Sequence, residues 1–168
     1  RRVALSGAVF YSDYTDYIGL NSIAPANGGG LVTVDLNTGD VESYGFEAEA
    51  TFRPTPQWTL SGNFSYVHAR LTNSDAYFAT TGRLLSSDRL TFQPDYTFAI
   101  NSDYEIPIGE DSLTLSLGAT GKGERLAATL NQTTPTFLDG YILVNAQVTY
   151  SHGPFEFSLF ANNALNED

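Results

Sequence analysis

Hydrophobic and polar residues alternate with a period of two along most of the chain, which is typical of β-strands with one apolar face. In the clearest run, from Leu90 to Ile106, the even positions are mostly apolar and the odd positions are polar and include three carboxylates. At roughly 3.3 Å per residue this run would measure about 56 Å, far longer than a typical strand of a soluble domain. No segment shows convincing helical spacing. The pattern therefore predicts an all-β protein with long strands.

Six further segments show the strand pattern: Arg1–Leu20, Val41–Arg53, Trp58–Leu71, and runs that begin at Leu113, Tyr141 and Phe155. The connections alternate in length. The short ones are residues 54–57, 107–111 and 151–154, and the long ones are residues 21–40, 72–88 and 124–138. Short turns at one end and long loops at the other are the layout of an outer-membrane β-barrel. We therefore expect an antiparallel meander of about seven long strands that forms part of a transmembrane β-barrel.

The alternation defines two faces but does not decide which of them meets lipid, since a soluble barrel buries its apolar face inside. Three features favour lipid contact. The strands are long, and the polar faces carry Ser, Thr, Asn and Gln rather than the Lys and Glu of a solvent-exposed sheet. Aromatic residues also gather near the short turns, where an interfacial girdle would lie, namely Phe52, Trp58, Tyr104, Tyr150 and Phe155.

These features predict the direction in which individual side chains point, although the faces of Arg1–Leu20 are mixed and stay unassigned. The residues expected to face lipid are Phe92, Phe98, Ile100, Leu115, Val144, Val148, Phe157 and Leu159. The residues expected to face the barrel interior are Thr97, Asn101, Ser116, Asn145, Gln147 and Ser158. If the short turns are periplasmic, positions 75 and 130 lie outside the cell and position 109 does not.

Composition excludes several classes of function. The net charge is −11 with only eight basic residues, so the chain lacks the clustered Lys and Arg that nucleic-acid binding requires. The absence of cysteine excludes disulfides, thiol catalysis and Cys-ligated metals. No apolar run approaches the ~18 residues of a membrane-spanning helix. Contact with a membrane would therefore have to be made by strands.

Five segments together resemble the late barrel region of TonB-dependent outer-membrane receptors. They are Asn37–Glu49, Phe52–Tyr66, Leu90–Phe98, Asp139–Ala146 and Phe155–Asn166. The resemblance covers most of the chain and is weakest over the long loops. Each segment alone is a weak signal, and their joint occurrence is the specific one.

The resemblance implies a bacterial outer-membrane barrel of about 22 strands, closed inside by a globular plug domain. It implies uptake of a scarce nutrient, such as an iron chelate, a vitamin or a carbohydrate, with energy supplied by the TonB complex through the plug. The expected partners are outer-membrane lipid, TonB and the nutrient, with no cofactor and no nucleic acid. Residues 1–168 would be a partial C-terminal segment of such a barrel, without the plug domain and the final strand.

Four carboxylates are candidates for substrate binding, since they are expected on the lumen side or its rim: Glu47, Glu49, Asp95 and Asp103. Glu47 and Glu49 could contact the plug, a substrate or a cation, but hydrated lumen carboxylates held by neighbouring polar groups are the favoured interpretation. Glu47 and Glu49 share one strand face about 7 Å apart, a distance that would also suit a catalytic pair. Nothing else in the sequence supports an active site. We therefore expect no catalytic residues and no enzyme activity.

No metal site is expected. His68 and His152 are predicted to lie at opposite ends of the barrel and so would not bind the same ion. Asp13 and Asp16 are at the end of the first strand, where a solvated loop end is favoured over a cation site. Two other interpretations of the whole chain stay open: a complete eight-stranded outer-membrane barrel with a structural or adhesive role, and a soluble lipocalin-like barrel that binds a ligand.

Overall fold

The computed structural model describes residues 2–23, 32–127 and 135–167. One sheet contains β1 Val3–Ile23, β2 Val32–Thr55, β3 Trp58–Asn73, β4 Tyr96–Ile108, β5 Asp111–Lys122, β8 Tyr141–His152 and β9 Phe155–Ala161. The loops add helix α1 Asp75–Thr81 and a ribbon of β6 Arg125–Leu126 and β7 Phe137–Leu138. In the described part of the chain, no helix has the length and apolar composition that a membrane crossing requires.

The sheet is an antiparallel meander in which each strand pairs with the next one along the chain. Its order is β1-β2-β3-β4-β5-β8-β9, so β1 and β9 form its two edges. Two-residue turns join the strands at all three short connections, and the glycines at positions 109 and 153 have positive φ angles, which an L side chain rarely adopts. The predicted all-β meander of seven strands is confirmed, and the described residues form an open sheet.

The strand register places side chains of like polarity in continuous rows across the sheet. Ile100 pairs with Ala119, which pairs with Val144, and the neighbouring row contains Asn101, Gly118 and Asn145. We call these two sides the apolar face and the polar face. Every residue expected to face lipid lies on the apolar face except Phe92, and every residue expected to face the interior lies on the polar face.

The pairing also assigns the faces of β1, which the sequence pattern leaves open. Leu5 pairs with Ala50 and Val9 pairs with Phe46, so the odd residues of β1 join the apolar face. Leu5 is 76% exposed and Val9 is 85% exposed. Such large apolar side chains, unburied over a whole sheet face, require an apolar environment outside the protein.

Two rows of aromatic residues bound the apolar face. The turn-side row is Phe52, Trp58, Tyr104, Tyr150 and Phe155, and the loop-side row is Tyr11, Tyr44, Tyr66 and Tyr96. Tyr104 follows Tyr96 by eight positions, about 26 Å along an extended strand. At the roughly 35–45° tilt of barrel strands this spans about 20 Å of membrane thickness, somewhat less than the ~25 Å apolar band of outer-membrane barrels, whose borders carry aromatic girdles. Only the turn-side row was predicted from the sequence pattern.

The predicted strand from Leu90 to Ile106 is wrong in its first part, because β4 begins only at Tyr96. Residues before it leave the sheet: Phe92 has a positive φ of 60°, and its backbone N–H donates to Leu126 O at 2.8 Å. Pro94 has no N–H to offer a neighbouring strand. Phe92 therefore belongs to the loop region and not to the lipid-facing set.

The long connections contain more regular structure than the sequence predicted. Much of the expected loop 21–40 belongs to β1 and β2, while residues 24–31 lie outside the described residues. Helix α1 occupies the second connection, against the expectation of no helix. The Asn73 side chain accepts a hydrogen bond from the Asp75 N–H at 2.8 Å at its start, and Gly82 ends it with φ 66°.

A small core lies on the polar face at the loop end of the sheet. It contains Val41, Ala69 and Leu71 from β2 and β3, together with the fully buried Tyr77 of α1. Helix α1 packs against β2. The loop thus folds over the polar face and not over the apolar one, as expected if the polar face lines the mouth of a barrel.

We predict that Ile100→Arg destabilises the intact receptor far more than Asn101→Arg. Ile100 lies midway between the two aromatic rows on the apolar face, where a cation would enter the hydrocarbon at a cost of ~2–4 kcal/mol. Asn101 is its neighbour on the polar face. Urea unfolding of both variants in lipid vesicles measures the difference. A larger loss for Asn101→Arg would mean that the faces are inverted.

We predict that the loop end of the sheet is extracellular. On whole cells, a membrane-impermeant maleimide should label Asp75→Cys of the intact receptor, because Asp75 is exposed in a long connection. Glu110→Cys, in a two-residue turn, should react only after the outer membrane is permeabilised. The opposite labelling pattern would reverse the orientation. Position 130, the other site expected outside, lies beyond the described residues.

Candidate ligand-binding surface

The polar face of the sheet is the candidate surface, because uncharged hydrogen-bonding groups cover much of it. Ser116 Oγ donates to Asp103 Oδ1 at 2.6 Å. Gln147 Nε2 donates to Thr149 Oγ1 at 3.0 Å, and the Thr149 hydroxyl lies 2.8 Å from that of Ser158. Side chains held in this way keep further donors and acceptors available for water, a plug or a ligand.

Glu47 and Glu49 are brought together on the polar face of β2. Their cross-strand neighbours are small or polar, with Ser65 and Asn63 on the β3 side and Ser6 among those on the β1 side. These five residues line one shallow groove. Among the described residues neither carboxylate forms an ion pair, and both residues are exposed. The groove therefore presents two uncompensated negative charges.

The other two candidate carboxylates lie elsewhere. Asp103 is on the polar face of β4, where it accepts the hydrogen bond from Ser116. Asp95 immediately precedes β4, and its two oxygens lie 2.9 Å from Arg70 Nη2 and 3.3 Å from Arg89 Nη2. The four candidates thus do not converge on one site, and Asp95 is occupied by two guanidinium groups.

Arg89 joins the two long connections that follow β3 and β5. Its Nη1 lies 3.0 Å from Glu124 Oε1, its Nη2 donates to Glu124 O at 2.8 Å, and its Cζ lies 5.4 Å from the centre of the Phe137 ring. The backbone contact between Phe92 and the buried Leu126 adds to this junction. Sequence reasoning missed Arg89, since strand periodicity carries no information about contacts between loops.

A second cluster of cations lies at the loop end of the polar face. Lys122 ends β5 and pairs with Tyr141 of β8, and its Nζ lies 5.0 Å from the centre of the Tyr141 ring. Arg125 Cζ lies 5.7 Å from the same centre. The sequence pattern does not associate the two cations, because residues 139–141 return to them only through the meander.

The described histidines and the candidate acidic residues lie apart from one another. His68 stacks on Tyr44 at the loop end of the sheet, whereas His152 is at the turn end beside Asp111. The Asp16 carboxylate accepts a hydrogen bond from the Asn37 amide at 2.8 Å. Within the described ranges no group of three or more His, Asp or Glu residues is arranged to hold a metal ion.

At the turn end, Asp111 accepts hydrogen bonds from two neighbours on β8. The Tyr150 hydroxyl donates to Oδ2 at 2.6 Å, and His152 Nδ1 lies 2.8 Å from Oδ1. The bond from Tyr150, followed by that from His152, lowers the pKa of Asp111. Because this pKa is lower in the folded protein, the cluster stabilises the fold above the ordinary carboxyl pKa. That contribution is lost as the pH falls through the folded pKa.

We predict that Tyr150→Phe raises the pKa of Asp111 toward its ordinary value, since it removes the largest cause of the shift. The measurement is an NMR titration of the Asp111 carboxyl carbon in the intact receptor. Tyr104→Phe is the control, because Tyr104 is in the same aromatic row but lies opposite Leu115, whereas Asp111 lies opposite Ile108. An unchanged midpoint in Tyr150→Phe would assign the shift to another group.

We predict that Arg89→Ala loosens the junction of the two connections. Arg89 is 15% exposed and makes charge-assisted bonds, so its loss should destabilise the junction by about 2 kcal/mol and speed amide exchange at Phe92 roughly 30-fold. Hydrogen exchange with mass spectrometry measures this. Arg83→Ala, at an exposed cation outside the junction, should leave the exchange unchanged. Equal rates of amide exchange at Phe92 in the two variants would show that Arg89 does not stabilise the junction.

Comparison with known structures gives the same fold throughout. The chain is similar to the ferric-catecholate import receptor Fiu from E. coli K12 at 21% identity, with a TM-score of 0.71 over 99% of this chain and 21% of that one. It is similar to the ferric yersiniabactin uptake receptor FyuA from Yersinia pestis at 19% identity, with a TM-score of 0.74 over 99% of this chain and 23% of that one. It is also similar to the siderophore receptor PiuA from Acinetobacter baumannii at 16% identity, with a TM-score of 0.70 over 99% of this chain and 22% of that one. The chain thus spans between a fifth and a quarter of these receptors.

A search of curated protein sequences found no significant match. The profile of the family described as TonB dependent receptor-like, beta-barrel, matches residues 1–166. This is a family of bacterial outer-membrane transport receptors and not of enzymes, as the sequence predicted. The match covers all seven strands of the sheet, and the chain belongs to the TonB-dependent receptor β-barrel family.

Proposed function

We propose that the chain is part of an outer-membrane active-transport receptor that takes up an iron chelate with energy supplied through TonB. The match of the barrel family over residues 1–166 carries the proposal. The iron chelate is favoured over a vitamin or a carbohydrate because the three solved relatives above are receptors for ferric chelates or siderophores. The exposed apolar face argues against a soluble lipocalin-like barrel, and the family match argues against a complete eight-stranded barrel.

The experiment is uptake of radiolabelled substrates by cells that produce the intact receptor in a strain without its own receptors for these substrates. Each of several ferric chelates is offered, with cobalamin and a maltooligosaccharide as alternative substrates. We expect uptake of at least one ferric chelate, and loss of that uptake when TonB is deleted. Uptake that persists without TonB would contradict TonB as the energy source. Uptake of only the vitamin or the sugar would contradict an iron chelate as the substrate.

The proposal includes a plug domain, outside residues 1–168, that occupies the barrel interior. In that arrangement Glu47 and Glu49 face the plug or a substrate that passes it, because they lie exposed and unpaired on the polar face. Asp103 faces the same interior nearer the turns, and Asp95 stays at the rim as an ion-pair partner.

A photo-crosslinking amino acid tests the position of the plug. Placed at Glu47 of the intact receptor, it should form an intramolecular cross-link to a segment outside the barrel, which peptide mapping identifies. Placed at Phe46, the adjacent residue on the apolar face, it should cross-link to lipid instead. Cross-links to lipid from position 47 would contradict the interior position of this carboxylate.

A further inference from the structure

A groove crosses the apolar face of the sheet over strands β1 to β4. Its volume of about 720 Å³ lies within the range of small-molecule sites in proteins. Large side chains form its walls, and small ones form its floor. The walls are Leu5, Phe64, Phe98 and Ile100, and the floor includes Ala50 and Gly62.

The strand register creates the groove by placing small residues between large ones. Ala50 pairs with Gly62, and neither residue has a side chain larger than a methyl group. Leu5 precedes this pair in the same cross-strand row, and Ile100 follows it. The row is therefore low in its middle and high at both ends.

The aromatic walls are held in place by their own neighbours. The Phe64 ring stacks on those of Phe46 and Tyr96, with centroid distances of 5.7 and 6.4 Å. The Phe98 ring lies over Gly121 of β5, where an added Cβ would be 2.5 Å from Phe98 Cε1. Phe98 thus leans toward β5 and leaves the groove open. The groove is a formed feature of the sheet, and not a gap that these rings fill.

The groove suits an apolar ligand and no other kind. Ser6, Glu49 and Asn63 also border it, but they occupy the alternate positions of their strands, so their side chains lie on the polar face. Ile100 lies midway between the two aromatic rows, and Phe98 follows the loop-side row by only two positions. The groove therefore opens to the hydrocarbon of the membrane and not to lipid headgroups.

The length of the groove fits one acyl chain. Three spacings of ~4.8 Å between neighbouring strands make it about 14 Å long. One leaflet accounts for half of the ~25 Å apolar band of outer-membrane barrels, or about 12 Å. A second copy of the receptor is a poorer occupant, because a stable interface buries roughly 800 Å² per partner and the groove is only a few side chains wide.

We propose that this groove binds one acyl chain of a membrane lipid in preference to the rest of the apolar face. A chain in the groove gains dispersion contacts with both walls and the floor, whereas a chain on a flat part of the face is contacted from one side. The bound chain lies behind the groove of Glu47 and Glu49, which uses the other face of the same strands. The inference depends on the membrane position of the sheet and not on the transported substrate.

The test uses the intact receptor in phosphatidylcholine vesicles that contain a small fraction of a phosphatidylcholine with a diazirine in the middle of one acyl chain. After irradiation, peptide mapping locates the cross-linked residues. Cross-links at Phe64 and Ile100 should exceed those at Leu117 and Val144 about fivefold, because the latter two lie on the same face outside the groove. Ile100 and Leu117 are both 54% exposed, so accessibility alone predicts equal labelling of these two residues.

The variant Ala50→Leu fills the floor of the groove and should lower cross-linking at Ile100 to the level of Leu117. Ala119→Leu is the matched control, since Ala119 continues the same cross-strand row beyond Ile100 and does not line the groove. It adds the same side chain to the apolar face and should leave the cross-links unchanged. Gly62 is unsuitable for this purpose, because an added Cβ would lie 3.2 Å from Ala99 O and strain the sheet. Urea unfolding of both variants in the same vesicles establishes that the barrel is folded.

Three outcomes would overturn the proposal. Equal cross-linking of Ile100 and Leu117 in the wild-type receptor would make the groove an ordinary part of the lipid-covered face. An unchanged pattern in Ala50→Leu would place the chain elsewhere. A receptor that sediments as a dimer and shows no lipid cross-links in the groove would assign the groove to a second copy. Iron uptake is measured separately, so none of these results decides the proposed function.

Discussion

The rest of the structure depends on one constraint: in a membrane, every backbone N–H and C=O must find its partner within the protein. The antiparallel ladder satisfies these groups between each pair of neighbouring strands, whereas the outer edges of β1 and β9 have no neighbour in the described residues, and the same ladder fixes the register. Once the register is fixed, the alternation of side chains decides which face is apolar and which is polar. A slip of one residue would move the apolar side chains of a strand to the polar face. The rows through Ile100 and Asn101 show how sharply neighbouring positions are separated in this way.

The two aromatic rows mark the borders of the part of the sheet that lies in the hydrocarbon of the membrane. Between them the apolar face carries no charged residue, and the hydroxyl of Ser102 on that face accepts a hydrogen bond from Trp58 Nε1 at 3.0 Å. Charged residues begin just beyond the loop-side row, where the Tyr11 hydroxyl donates to Glu42 Oε2 at 3.0 Å. Tyrosine suits this border because its ring is apolar and its hydroxyl needs a polar partner. Charged side chains no longer meet the hydrocarbon at the loop end of the sheet. The Arg89 junction and the Lys122–Arg125 cluster are found there.

The strands and their faces were predictable from sequence because a period of two is a local property, repeated in almost every strand. The prediction failed where non-local contacts decide the structure. The run Leu90–Ile106 alternates throughout, yet its first residues leave the sheet to meet Leu126 in the next long connection. Likewise Glu47 and Glu49 were recognised because they are neighbours in sequence, whereas Tyr141 approaches Lys122 only through strand pairing. A single sequence does not predict contacts between residues that are distant along the chain and meet only when the strands pair.

The junction at Arg89 has a consequence for how the mouth of the barrel responds to any ligand. Two connections of the chain share one guanidinium group. We therefore expect a ligand that orders one of them to restrict the other as well, so that the conformational entropy of both is lost in a single event. A substitution that moves Glu124 or Phe137 would in the same way remove contacts from a loop more than thirty residues earlier in the chain.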